Sequence, residues 1–159
     1  MILNARRNFL KQSFLGTAVL VMSANKLFGA VSPLQTLALV WEDLFAHAKE
    51  NTPYISLILN HSRVSDEEKQ FLRNGVQWLN EEAVVMYKQM YAHLDSSQRQ
   101  EVLQSISDYR WGNNWIEMML TYIMEATLGD PVYGINKEEG GWKWLHHVSG
   151  VPRPKEPLL

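Results

Sequence analysis

Between Pro33 and Ala48 the hydrophobic positions recur at intervals of three and four. Leu37, Val40, Trp41, Leu44, Phe45 and Ala48 fall on one side, while Glu42, Asp43, His47 and Lys49 fall mostly elsewhere. That period predicts an amphipathic α-helix. After Asn51-Thr52-Pro53 an apolar run, Ile55 to Leu59, leads through a turn into SDEE, where Ser65 and Glu68 have capping-box spacing ahead of Phe71 and Leu72. Another helix starts there. Leu79, Ala83, Met86, Met90 and Leu94, widened by Tyr87 and Tyr91, make a further stripe, and Asp95 is placed to cap a helix carrying Val102, Leu103 and Ile106. The most apolar segment is WIEMMLTYIMEATL. Its polar residues Glu117, Thr121 and Glu125 are four apart and therefore share one narrow face. The rest of that helix must be covered, either by the bundle alone or by the bundle and another subunit.

Past Gly129 the helical signal stops. Pro131, Gly134, Gly140 and Gly141 punctuate a loop, a few aromatics follow, and Pro152, Pro154 and Pro157 predict an extended tail. No repeat, low-complexity block or alternating strand interrupts this pattern. The expected fold is all-α, a small bundle of about five or six helices with an irregular C-terminal loop and a proline-rich tail.

The N-terminal segment NARRNFLKQSFLGTAVLVMSA has a different order, a positive head followed by an apolar middle, as in export signals. Lys11 and Lys26 are separated by 14 residues. That is short of the roughly 20 needed to span hydrocarbon. A general secretory signal needs only diffuse positive charge, whereas here two arginines are adjacent just before the apolar core. RRNFLK, contributed by Arg6, Arg7, Phe9, Leu10 and Lys11, closely resembles the twin-arginine signal pattern. Ala5 stands where that pattern usually has Ser or Thr. Ala24 and Ala30 are candidate cleavage points, but Met22 and Phe28 are bulky where small residues are preferred. Residues 1–30 are thus read as a signal peptide and 31–159 as a single domain, large enough for one core.

Charge narrows the partners. Arg6, Arg7, Lys11 and Lys26 all precede Val31, where there is no acidic residue, so residues 31–159 carry 11 basic and 17 acidic side chains and a net charge of −6. Such a surface repels phosphate backbones and argues against nucleic acid. The chain has no cysteine, which removes disulfides, thiolate metal sites and covalent haem attachment. His146 and His147 are neighbours that point about 100° apart on a helix, and His47, His61 and His93 show no metal-binding spacing; zinc needs three or four convergent ligands. Glu81-Glu82 and Glu138-Glu139 are read as solvated, and no nucleotide fingerprint is present. No catalytic, cofactor-binding or metal-ligating residue is assigned. Six Trp, six Tyr and seven Met serve a core or a partner surface, with the core as the plainer reading.

LGDPVYGINKEEGGWKWL is the most specific stretch of the body. Asp130-Pro131 ends the long helix, Gly134 permits a turn, and Trp142 offers a large anchor for the bundle or for a partner. With little regular structure around it, the partner is the favoured place for that ring. The stretch resembles the C-terminal motif of the gluconate 2-dehydrogenase subunit 3 family, Asp-Pro-x-Tyr-Gly-Gly-Asn, a short spacer and Gly-Trp. Asp130, Pro131, Tyr133, Gly134, Asn136, Gly141 and Trp142 match it, while Ile135 replaces the second glycine, so the turn after Tyr133 is expected to differ. The resemblance implies a non-catalytic small subunit of a membrane-associated dehydrogenase, holding no cofactor of its own. Its implied partners are a large glucose-methanol-choline-type flavoprotein with FAD, a cytochrome c subunit with haem, and the twin-arginine translocase. The small subunit would carry the export signal for the flavoprotein, help it assemble, and act in the periplasm. The alternatives are a free-standing periplasmic metal-binding or hydrolytic protein that uses its histidines and carboxylates, and an exported binding module.

Overall fold

Six α-helices and three short 3-10 turns, with no strand, make up a computed structural model that describes residues 31–45, 52–153 and 155–157. The helices are α1 (Pro33–Leu44), α2 (Thr52–Asn60), α3 (Asp66–Tyr87), α4 (Ser96–Ser107), α5 (Arg110–Leu128) and α6 (Gly140–Trp144). The all-α bundle expected from periodicity is the fold. Arg6, Arg7, Phe9, Leu10, Lys11, His47, Ala48 and Lys49 lie outside the described residues.

Local chemistry sets the starts of α1, α3 and α4. Ser32 caps α1, its hydroxyl accepting from the Gln35 N–H at 3.2 Å, with Pro33 in the first turn. Ser65 and Glu68 form the reciprocal capping box of α3: the Ser65 hydroxyl accepts from the Glu68 N–H at 3.1 Å, and the Glu68 carboxylate accepts from the Ser65 N–H at 3.2 Å. Three acids, Asp66, Glu67 and Glu68, complement the helix dipole there. Asp95 and Gln98 repeat the box at α4.

Three boundaries differ from those the sequence suggests. The pattern runs α1 on to Ala48, but the helix ends at Leu44 and Phe45 turns extended, with its ring against Trp144 at 5.4 Å between centroids. The stripes at Phe71–Leu72 and Leu79–Leu94 are not two helices. A single α3 carries both as far as Tyr87, where Lys88 turns left-handed and its N–H still bonds Val84 O at 3.0 Å. Met90 and Leu94 therefore lie beyond the helix, flanking the 3-10 turn Tyr91–His93. The apolar run Ile55–Leu59 is helical too, within α2.

Leu37, Val40 and Trp41 of α1, Ile55 and Ile58 of α2, Leu72, Val76, Leu79 and Ala83 of α3, Val102, Leu103 and Ile106 of α4, and Trp115, Met119, Ile123 and Ala126 of α5 share one core with Tyr91 and Leu94. Glu117, Thr121 and Glu125 are exposed on α5, as their spacing requires. The α3–α5 crossing turns on Gly75, where a Cβ would fall 1.9 Å from the Trp115 indole nitrogen. Trp115 therefore lies flat on the α3 backbone, fully buried, and its Nε1–H donates to Leu72 O at 3.3 Å. Phe71, Trp78, Trp111 and Tyr109 continue this seam outward as successive ring contacts with centroids 5.0–6.2 Å apart.

A polar lock joins α1 to α4 through the turn between α3 and α4. Arg99 grips Asp43 with both prongs, Nε to Oδ2 at 2.7 Å and Nη2 to Oδ1 at 3.0 Å, and the Tyr91 hydroxyl donates to Asp43 Oδ2 at 2.7 Å. The Asp43 side chain is only 5% exposed, so its charge depends on these donors. Arg99 also donates to Leu94 O at 3.1 Å, and Gln100 to Asp43 O at 2.8 Å. Asn80 Oδ1 accepts from the Tyr91 N–H at 3.1 Å, which ties the turn back to α3. The Tyr91 phenol is raised well above the usual tyrosine range, first by burial and then by its bond to Asp43. The Arg99 guanidinium is raised as well, chiefly by its hydrogen bond to Asp43.

Removing one partner of such a pair strands the other charge, so Asp43→Ala is expected to lower stability by about 3–5 kcal/mol in urea unfolding. The phenol adds an alkaline dependence. A folded-state pKa above the unfolded value of about 10 gives stability that is complete below that pH and is lost as pH rises beyond it. Tyr54 contributes in the same sense, raised by burial and by its bond to Glu125. The thermal midpoint of the wild type is thus expected to fall between about pH 9 and pH 11, and that of Tyr91→Phe to fall less. An equally steep fall in the variant would rule out Tyr91 as a source of that dependence.

Candidate functional site

A helix leaves its last carbonyls without intrahelical donors, and α5 ends at Leu128 in a partly buried position. The next sixteen residues supply what is missing. Gly129 turns out of the helix with its N–H still bonded to Glu125 O at 2.9 Å. The Asp130 carboxylate accepts from the Val132 N–H at 3.0 Å and so caps the 3-10 turn Pro131–Tyr133. Gly134 closes that turn at φ +79°, a conformation open to glycine at little cost. Ile135 keeps out of the left-handed region and sets its side chain against Gly129, where a Cβ would lie 2.3 Å from Ile135 Cδ1.

Asn136 is the hub. It sits in the left-handed region at φ 45°, ψ 52°, and is only 5% exposed. Its N–H donates to Ala126 O at 2.8 Å, its Nδ2 donates to Gly129 O at 3.1 Å, and its Oδ1 accepts from the Gly141 N–H at 2.8 Å. One side chain therefore closes the end of α5 and receives the start of α6. Gly141 makes this approach possible, since a Cβ there would fall 1.9 Å from Thr127 O. Trp142 then lies 8% exposed against the end of α5, its indole N–H donating to Leu128 O at 2.6 Å. The Arg153 guanidinium covers the ring at 4.7 Å from its centroid while holding Glu139 Oε1 at 2.6 Å, and the His147 ring meets it edge-on at 5.6 Å.

The structure thus brings together Asp130, Pro131, Gly134, Asn136, Gly141 and Trp142 as one clasp on the α5 terminus. Tyr133 stands at its rim, 39% exposed. The sequence favours a partner as the place for Trp142, but the ring faces its own chain. The reason is the clasp itself: Asn136 and Gly141 give the irregular segment a fixed seat and a short helix, α6, that glycine-rich composition does not suggest. Arg153 and Phe45 were not among the expected site residues, because each reaches its ring from a distant point in the chain. Every polar group of the Asn136 side chain is engaged within the chain, so the arrangement serves to hold backbone. Among the described residues, no three His, Asp or Glu side chains gather into a metal-holding group, and His146 and His147 are exposed. No helix among them is long and apolar enough to cross a membrane.

The family model described as gluconate 2-dehydrogenase subunit 3 matches residues 46–150, about two thirds of the chain, and the clasp lies wholly inside that range. The chain belongs to this family, and is in that sense a dehydrogenase-complex subunit. No curated protein and no solved structure matches it.

The clasp predicts how the isolated subunit responds to mutation. Asn136→Ala strands the partly buried Gly129 carbonyl and the buried Gly141 N–H, and is expected to cost about 2–4 kcal/mol. Trp142→Ala should cost roughly 3–5 kcal/mol through the cavity it leaves. Thermal or urea unfolding of the free subunit measures both. Wild-type stability in Trp142→Ala would return that ring to a partner surface.

Proposed function

We propose that this chain is a non-catalytic accessory subunit of a periplasmic, membrane-associated, flavin-dependent gluconate or sugar dehydrogenase. It carries the twin-arginine export signal and assists assembly and export of the large flavoprotein subunit. Oxidation of the sugar belongs to FAD in that partner, and the electrons pass on to haem in a cytochrome c subunit. The observation that carries the reading is the family match over residues 46–150. The use of the motif supports it: Asn136 and Trp142 donate to the end of α5, Gly141 donates to Asn136, and Asp130 caps the turn that follows the helix, which suits a scaffold.

The N-terminal sequence gives the scaffold its task. Arg6 and Arg7 precede an apolar stretch on a chain with no cysteine, whose folding does not wait for an oxidising compartment. A route that carries folded cargo suits a subunit that binds its partner before crossing, so that one signal serves two chains. Changing Arg6 and Arg7 together to Lys is therefore expected to strand both this protein and its flavoprotein in the cytoplasm. Cell fractionation with a dehydrogenase assay decides the matter. Normal export of the partner's activity from the double variant would refute the shared signal.

A further inference from the structure

Exposed apolar surface is unevenly distributed. Among the described residues, nine large apolar side chains are exposed, and five of them lie between Tyr133 and Val151. Trp144 is 44% exposed, Leu145 49%, Val148 89% and Val151 92%. This group follows the clasp directly. Trp142 O accepts from the His147 N–H at 2.8 Å, Gly141 O accepts from the Leu145 N–H at 3.1 Å, and Trp144 rests edge-on against Phe45. Trp144 and Leu145 are thus presented from a fixed base, which lowers the entropy lost when they are covered. Exposed apolar side chains that follow one another closely along the chain, a tryptophan among them, mark a surface made to be covered.

The charge around the group is equally distinctive. Residues 31–136 carry seven basic and fourteen acidic side chains, whereas residues 137–159 carry four basic and three acidic. Lys143 falls within the group, and Arg153, which is paired with Glu139, and Lys155, which precedes Glu156, follow it. An isologous dimer through this surface would oppose those cations to their own copies, which disfavours a second copy as occupant. An apolar surface rimmed by carboxylates is complementary. Trp144, Leu145 and Val148 also lie inside the range shared with a family of dehydrogenase subunits.

We propose that the surface formed by Trp144, Leu145, Val148 and Val151 is where the large dehydrogenase subunit docks, through an apolar patch edged by acidic residues. The proposal rests on the accessory-subunit reading and names its contact surface. The clasp holds the segment and the segment meets the partner, so the inward ring of Trp142 positions the outward ring of Trp144.

The test uses the full chain and the purified flavin-containing subunit. Leu145→Ser with Val148→Ser removes apolar area from two exposed positions, and the thermal midpoint of the free subunit is expected to stay within about 2 °C of wild type. Affinity for the flavoprotein should fall at least about tenfold. A Lys143→Glu variant, with its charge reversed beside the same patch, should weaken binding further as salt is lowered, the opposite of screening an attraction. Wild-type affinity in the double variant would overturn the surface assignment while leaving the complex intact. A wild-type chain that fails to bind the flavoprotein would overturn the accessory reading itself. Two other outcomes overturn the assignment by giving the surface another occupant. One is sedimentation with phosphatidylglycerol–phosphatidylethanolamine vesicles, lost in the double variant while flavoprotein affinity is kept. The other is concentration-dependent self-association lost in the same way.

Discussion

The C-terminal carbonyls of α5 cannot be left bare. They end a long, largely covered helix in a partly buried position, and a carbonyl left unpaired there costs about as much as a typical mutation. Asn136 and Trp142 supply those donors, at Ala126, Gly129 and Leu128. What looks like a loop is therefore the completion of a helix. The constraint explains the residue types as well as the fold: an amide that donates and accepts at once at 136, no side chain at 141, and an indole N–H long enough to reach back at 142.

The bundle is also secured by a different kind of interaction. Asp43, Arg99 and Tyr91 join α1, α4 and the turn after α3 through one buried carboxylate, and Gly75 lets Trp115 bring α5 against α3. Both devices are polar or steric rather than simply greasy. Apolar burial supplies most of the driving force, but it does not choose between helix arrangements of similar area, whereas a forked ion pair or an indole pressed on bare backbone accepts only one. The long helix thus arrives at the clasp in a defined position.

What could be read in the sequence was local. The capping box at Ser65, the cap at Asp95, the proline start of α1 and the exposed Glu117–Thr121–Glu125 face each depend on residues a few positions apart, and each is present in the structure. The break between Leu72 and Leu79 was illusory, since one helix runs through both, with Trp115 lying on it at Gly75. The lock was hidden because Asp43 is separated from Tyr91 by 48 positions and from Arg99 by 56. The motif residues from Asp130 to Trp142 stood out by their order, yet their order does not say which way a side chain faces. The direction of Trp142 depends on a carbonyl 14 residues earlier.

A family motif that folds inward and an apolar group that follows it outward fit a subunit whose work is to hold a partner. The inward half is the central claim, and it can be read at single residues. Native-state hydrogen exchange on the isolated subunit reports opening at each amide. If the clasp is intrinsic to this chain, the amides of Asn136 and Gly141 will be protected to the same degree as those in the middle of α5. Exchange at both positions as fast as in an unstructured chain would contradict it, and would mean that the motif takes shape only when the partner binds.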